Sequence, residues 1–258
     1  MIVPGEDFIL RVEKMSRHFG GLKAVDKVSF HVRRGEILGL IGPNGAGKTT
    51  CFNVISGVYR PTSGQIFLEG ERIDGLPAHS IAAKGVGRTF QIVRPFGGMT
   101  VLNNVMVGLG LPRYSSFVKT SLLFNTGKNR EQAMAFLKEV GLEGFADGLA
   151  ANLSLGNLRR LELARALALG PQLLLLDESF SGLSQEEIKQ MMKLVRDIQK
   201  RGFTILLIEH NMRVAMSLCE RLVVLDHGGK LAEGPPGEIR SDEKVIEAYL
   251  GRGESNNA

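Results

Sequence analysis

The chain has 258 residues, 43% hydrophobic and 23% charged, an ordinary globular balance with enough material for one large domain or two small ones. A net charge of +5 suits a polyanionic ligand, an anionic membrane surface or merely a solvated basic surface. Cys51 and Cys219 stand far apart without metal-ligand spacing, which excludes a disulfide framework and favours a reducing cytoplasm.

The opening "MIVPGEDFIL" lacks the basic-then-apolar layout of a signal peptide. The longest apolar runs, such as "LLLL" (173–176) and "ILLI" (205–208), fall well short of the roughly 18–20 residues that a spanning helix needs. Work at a membrane would therefore go through a partner.

The first 75 residues read as short strands joined by turns. "ILRVEKMS" and "AVDKVSFHV" nearly alternate, and "EILGLIG" is a continuous apolar strand that ends in glycine. A helix is expected from Lys48 to about Ile55, stopped by Ser56-Gly57, followed by another strand and turn in "GQIFLEGERI". Between that strand and helix lies "GPNGAGKTT" (42–50), which matches G-x-x-x-x-G-K-[ST] in the context the pattern requires. Gly42, Pro43, Asn44, Gly45, Ala46, Gly47, Lys48, Thr49 and Thr50 would together cradle phosphate. The glycines allow close backbone wrapping, and the helix N-terminus adds partial positive charge. Lys48 would reach the β- and γ-phosphates of ATP, and Thr49 would ligate Mg²⁺.

From about residue 92 to 163 the periodicity is helical, with glycine breaks. In "REQAMAFLKEVGL", Ala133, Phe136, Leu137 and Val140 share a face and Gly141 is the stop. Within this region "ANLSLGNLRR" (151–160) runs a small-residue turn into a basic helix. A serine N-cap at Ser154, free amides at Gly156 and Asn157 and a helix N-terminus would make an anion site. An ordinary capped helix gives no reason for Gly156.

Strands return as "LLLLD" (173–177), "TILLIEH" (204–210) and "RLVVLD" (221–226), with helices between, the rhythm of a buried parallel sheet. Asp177 would stand at the sheet's C-terminal edge and hold Mg²⁺ through water. Glu178 would polarise a water for in-line attack on the γ-phosphate. His210, placed at the end of the next core strand, would reach the same phosphate. His18, His31, His79 and His227 lack such a setting and read as surface or packing residues. Ser184 opens a capping box with Glu187, ahead of a helix whose apolar face is Ile188, Met191, Val195 and Ile198. The reading is an α/β core with a helical insertion and a disordered tail at 251–258.

From about residue 8 to 250 this order of motifs resembles the ATP-binding subunits of ABC transporters. The resemblance implies a single ABC ATPase domain: a P-loop NTPase core, an N-terminal antiparallel β subdomain and an inserted α-helical subdomain at about 92–163. Phe19, in "RHFGG", sits where the family stacks an aromatic on adenine. Gln91, in "VGRTFQ", matches the glutamine that contacts the metal and links the ATP site to the insertion. "LSLGN" (153–157) stands at the signature position, usually LSGGQ, and His210 matches the switch histidine. In the family two ATPase subunits pack head to tail, so Ser154 and Gly156 of one, with Asn157 beside them, would bind the γ-phosphate held by the other's Lys48.

"VGRTFQIVRPFGGMTVLNNVMVG" and "GPPGEIRSDEKVIEAYLG" look like the subgroup that serves branched-chain or hydrophobic amino-acid importers. Its members work at the cytoplasmic face of the membrane with two permease subunits and, indirectly, an external solute-binding protein. A groove near Gln91 and the segment at about 92–106 would receive a short permease helix; Phe96, Met99, Val101 and Leu102 would either line that groove or fill the core of the insertion. Leu155 is unsurprising in that subgroup, whereas Asn157 for glutamine, Ser184 for the usual aspartate and Ser179 for the usual proline are departures. Because Lys48, Thr49, Gln91, Asp177, Glu178 and His210 are intact, a heterodimer would be stronger at the site that uses this chain's P-loop. Related ATPases acting on ribosomes or DNA are the alternative class. One cassette, no heptads and scattered basic residues count against it.

Overall fold

The computed structural model describes residues 7–91, 93, 95–110 and 126–250. The expected tail at 251–258 lies outside the described residues, as do two positions of the 92–106 segment.

Three hydrophobic cores organise the fold, and alternation along the strands decides which residue joins which. The parallel strands β3 (Ile37–Ile41), β7 (Leu173–Asp177), β8 (Thr204–Ile208) and β9 (Arg221–Asp226) are apolar almost throughout because both faces are covered. Leu38, Leu40, Leu173, Leu175, Leu206, Ile208, Val223 and Leu225 face one core. Their neighbours Ile37, Ile41, Leu174, Leu176, Ile205, Leu207, Leu222 and Val224 face another.

The first core is closed by a four-stranded antiparallel sheet of order β2-β1-β4-β5: β1 (Phe8–Phe19), β2 (Leu22–Arg33), β4 (Ser63–Leu68) and β5 (Glu71–Arg72). Helix α1 (Lys48–Ile55) contributes Cys51, Phe52, Val54 and Ile55 to that same core, so the phosphate loop is anchored from both sheets. Ser56 caps α1, as the sequence implies.

The large sheet has order β10-β9-β3-β8-β7-β6. Two of its edge pieces escape the sequence reading: β6 (Val86–Arg88) is three residues long, and β10 (Gly229–Gly234) is bounded by glycines. Both are too short or too polar to show a period; pairing with β7 and β9 makes them strands. Helix α2 (Ala78–Ala83) and strand β6 add Ile81 and Val86 to the first core.

The third core is helical. Helices α3 (Val101–Gly110), α4 (Gly127–Glu139) and α5 (Leu155–Ala168) meet through Val101, Leu102, Val105, Ala133, Leu137, Val140, Leu161 and Ala164. Val101 and Leu102 are buried, which decides for core over groove: at the start of α3 they face α4 and α5. Helix α5 continues beyond residue 163 to Ala168, where its last turn packs against the parallel sheet's second core through Ala166 and Leu167.

Helix α6 (Gln185–Lys200) carries the expected capping box, with Ser184 Oγ accepting from the Glu187 N–H and the Glu187 carboxylate accepting from the Ser184 N–H. Its buried stripe is Met191, Val195 and Ile198. Helix α7 (Met212–Leu218) follows β8, and α8 (Pro236–Ser241) and α9 (Glu243–Leu250) close the second core with Ile239 and Val245.

Candidate functional site

The phosphate loop leaves β3 and wraps tightly enough to demand glycine. A Cβ at Gly42 would lie 2.1 Å from the Leu225 carbonyl oxygen, and one at Gly47 would lie 2.4 Å from that of Ala24. These two glycines are thus required by the protein's own backbone, whereas Gly45 is exposed with open space around it. Lys48 is buried, and its Nζ donates to the carbonyl oxygens of Gly42 at 2.7 Å and Pro43 at 2.9 Å. An ammonium clamped across its own loop is already aimed at the cradle that a phosphate would fill.

Strand register brings the remaining groups to the same edge. Leu40 of β3 pairs with Ile208 of β8, and Ile208 pairs with Asp177 of β7. Asp177 is 1% exposed, so its charge needs a partner, and Arg88 at the end of β6 supplies one: guanidinium to Asp177 Oδ2 is 2.8 Å. Burial pushes the Asp177 carboxyl above the ordinary carboxylate range, with Arg88 pulling it partly back. Asp177 Oδ1 is buried without a hydrogen-bond partner.

Thr49, Gln91 and Asp177 line one cavity of about 610 Å³, together with Arg88, Phe90 and Glu162. A hydroxyl, a carboxamide and a carboxylate with one unsatisfied oxygen are hard donors that fit Mg²⁺. The residues present therefore fit the metal that the family implies.

Glu178 sits at φ +49, in the left-handed region where a non-glycine residue is strained, and its N–H donates to the Ile208 carbonyl. Its Oε2 accepts from Gln91 Nε2 at 2.9 Å and lies 3.8 Å from His210 Nδ1. One carboxylate oxygen thus joins Gln91 to His210. The histidine is not at a strand end, which corrects the sequence reading. β8 stops at Ile208, and His210 stands exposed in the turn before α7.

Phe19 lies at the end of β1, partly exposed, edge-on to Tyr59 at 5.3 Å and with Arg17 stacked over its ring at 4.5 Å. Ala24, five residues on, is the one whose carbonyl abuts Gly47.

The signature turn lies elsewhere, on the helical region. Ser154 caps α5, its Oγ accepting from the Asn157 N–H at 3.4 Å. The Asn157 amide is therefore engaged within the turn rather than free. Gly156 also has an internal reason that the sequence reading missed: a Cβ there would lie 2.3 Å from Glu187 Oε1, the carboxylate of the α6 capping box. The basic character of α5 is partly structural, since Arg159 is buried and donates to the carbonyl oxygens of Phe90 and Gln91, at 2.9 Å each.

Three further groups were not singled out from sequence: Arg88, Glu162 and Glu209. Glu162 Oε1 accepts from the Phe90 N–H at 2.8 Å, and burial raises its pKa. Glu209, 1% exposed, accepts from the N–H groups of Phe180 and Asn211 and so ties the segment after Glu178 to the turn holding His210. Burial raises its pKa as well. The available signal was a charged residue directly beside a buried apolar strand, at "VGR" and "LLIE".

Comparison with known proteins agrees with this geometry. A family described as "ABC transporter" matches residues 25–181, and one described as "Branched-chain amino acid ATP-binding cassette transporter" matches residues 230–255. The chain is 43% identical to the high-affinity branched-chain amino acid transport ATP-binding protein BraF of Pseudomonas aeruginosa, covering 94% of this chain and 98% of that protein. The ADP conformation of MJ1267, an ATP-binding cassette of an ABC transporter, superposes with a TM-score of 0.84 at 31% identity, covering 95% of this chain and 99% of that one. The dimeric structure of MJ0796, a bacterial ABC transporter cassette, gives 0.77 at 25% identity, covering 88% and 98%. Among the described residues no helix is long and apolar enough to cross a membrane. With a complete phosphate loop, buried Asp177 beside Glu178 at the sheet edge and a family match over more than half its length, the chain belongs to the ATP-binding-cassette ATPases of ABC transporters.

Proposed function

We infer that this chain is an ATPase subunit of an importer for branched-chain or other hydrophobic amino acids, working at the cytoplasmic face of the membrane. The observation that carries the cargo is the match of β10, α8 and α9 to the branched-chain cassette family, added to the identity with BraF. Nothing favours the alternative, action on ribosomes or nucleic acid.

In this reading the triphosphate enters the loop at 42–50 and Lys48 exchanges carbonyl oxygens for phosphate oxygens. Thr49, Gln91 and Asp177 would hold Mg²⁺, which when bound offsets phosphate charge. Glu178 polarises the attacking water, held in place by Gln91 and His210 through its Oε2. Phe19 stacks on the base. A second ATPase subunit supplies the facing Ser154 and Gly156 turn, so ATP draws two subunits together head to tail and hydrolysis lets them part. The dimeric MJ0796 cassette supports this pairing. The cavity bordered by Phe90, Gln91, Val107, Gly108, Arg165 and Leu169 supports docking of a permease helix there.

The test is reconstitution with its two permease subunits and second cassette in proteoliposomes, with the solute-binding protein outside. ATP-dependent leucine uptake is the expected result. Robust ATP hydrolysis with uptake of no hydrophobic amino acid would overturn the cargo.

A further inference from the structure

Arg88 gathers side-chain partners from separate elements of the fold. Its guanidinium donates to Asp177 Oδ2 at 2.8 Å, to Asn53 Oδ1 at 2.9 Å and to Ser56 Oγ at 2.6 Å. It also stacks near the rings of Phe90 and Phe52, at 5.1 and 5.8 Å. Asn53 is on α1, the helix that begins with Lys48 and Thr49, and Ser56 caps it. Phe90 precedes Gln91. One buried cation therefore joins the phosphate helix, the metal-side carboxylate and the strand that leads to Gln91.

The neighbouring cations are committed elsewhere: Lys48 to the carbonyls of Gly42 and Pro43, Arg159 to those of Phe90 and Gln91. Among the described residues, Arg88 is the cation in ion-pair contact with Asp177. It takes Oδ2 and leaves the buried Oδ1 without a partner. A carboxylate with one oxygen paired to a cation and the other left unpaired can meet a metal, yet it does not repel a bare triphosphate at full strength.

We propose that Arg88 is the built-in counter-cation of Asp177, a positioning residue that lets the site accept ATP before Mg²⁺ is in place. The proposal rests on the nucleotide-binding reading above. It makes metal-free affinity follow the summed charge of the pair: zero in the wild type, negative in Arg88→Gln, zero again in the double variant Arg88→Gln/Asp177→Asn, and positive in Asp177→Asn.

The experiment titrates the full-length chain with a fluorescent ATP analogue in excess EDTA and again in Mg²⁺. In EDTA, Arg88→Gln is expected to bind about tenfold more weakly, the size of one unmatched unit charge acting across about 10 Å at an effective dielectric near 20. The double variant and the charge-preserving Arg88→Lys should return to within about threefold of wild type, and Mg²⁺ should shrink the Arg88→Gln defect by screening the bare carboxylate. A double variant as weak as Arg88→Gln, or an equal loss with and without Mg²⁺, would show a packing role and overturn the proposal. If Arg88→Gln does not fold, Asp177→Asn against the double variant carries the test: tighter metal-free binding by the single variant is expected, and equal binding overturns it. Wild-type protein that binds no ATP in either buffer would instead sink the nucleotide reading itself.

Discussion

The sheet edge around Lys48 and the turn at Ser154 are built to opposite specifications. At the sheet edge the charged groups are already engaged within the chain: buried Lys48 on its loop carbonyls, buried Asp177 on Arg88, and half-buried Glu178 between Gln91 and His210. At the signature turn Ser154 and Leu155 are exposed on the protein surface. Its polar groups serve the turn's own geometry, the Ser154 cap and the Gly156 contact with Glu187. The lesson is that contacts with the interior prearrange the sheet edge, while the turn is an exposed surface held in shape by its own contacts. Gly156 also places the turn in direct contact with the α6 capping box, through the Glu187 carboxylate.

The largest expected effect tests the prearranged half. Glu178→Gln should cut turnover by about 10²–10⁴-fold while leaving ATP bound, because general-base assistance is lost and the phosphate contacts are not. Steady-state phosphate release and nucleotide retention on a desalting column measure the two quantities. Unchanged turnover removes Glu178 from the role.

Dilution tests the surface half. If the Ser154 turn acts only across a dimer, turnover per chain should fall about fiftyfold from its saturated value when total protein drops roughly a hundredfold below the dimer dissociation constant, since the dimeric fraction then becomes limiting. A monomer, verified by light scattering, that keeps its full rate at every concentration would erase the contrast between the two regions.

Gly156→Ala sharpens the contrast at a single atom. The new methyl must displace Glu187 from its capping box, which should cost about 1 kcal/mol of stability by urea melting. Adding Glu187→Ala should make the second methyl nearly neutral, because the clash is gone. Two fully additive losses would show that the contact has another origin.

The smallest effect concerns the segment that joins the regions. Burial raises the folded-state pKa of Glu162 above its ordinary value of 4.5. The unfolded chain then releases that proton at lower pH than the folded one, so this group lowers folding stability as pH climbs from about 4.5 through its raised value. Glu162→Gln keeps an acceptor for the Phe90 N–H and removes the charge. Its stability relative to wild type should improve as pH rises across that window, and a difference that does not vary with pH would refute the linkage.

Legibility from sequence followed the range of the interactions. The phosphate loop, α1 with its Ser56 stop, the α6 capping box and the apolar strands depend on residues close in the chain, and each was readable there. The Arg88–Asp177 pair spans 89 positions, and no local pattern announces it. Glu209 and Glu162 were hidden in the same way, as charges beside apolar runs whose partners come from other elements. Val101 and Leu102 were left open between groove and core because exposure cannot be read from a short apolar segment: the same residues line a groove or fill a core according to which helices cover them.

Read along the chain alone, a phosphate loop, the start of its helix and a parallel sheet buried on both faces and running into Asp177 and Glu178 were all legible. Those follow from spacing, glycine placement and period, which are properties of neighbouring residues. Only the tertiary structure decided that Arg88 faces Asp177, that Gly156 is held clear for Glu187, and that His210 stands two residues beyond its strand. Buried charges and close contacts are satisfied by whatever the fold brings within about 3 Å, and chain separation does not encode that distance.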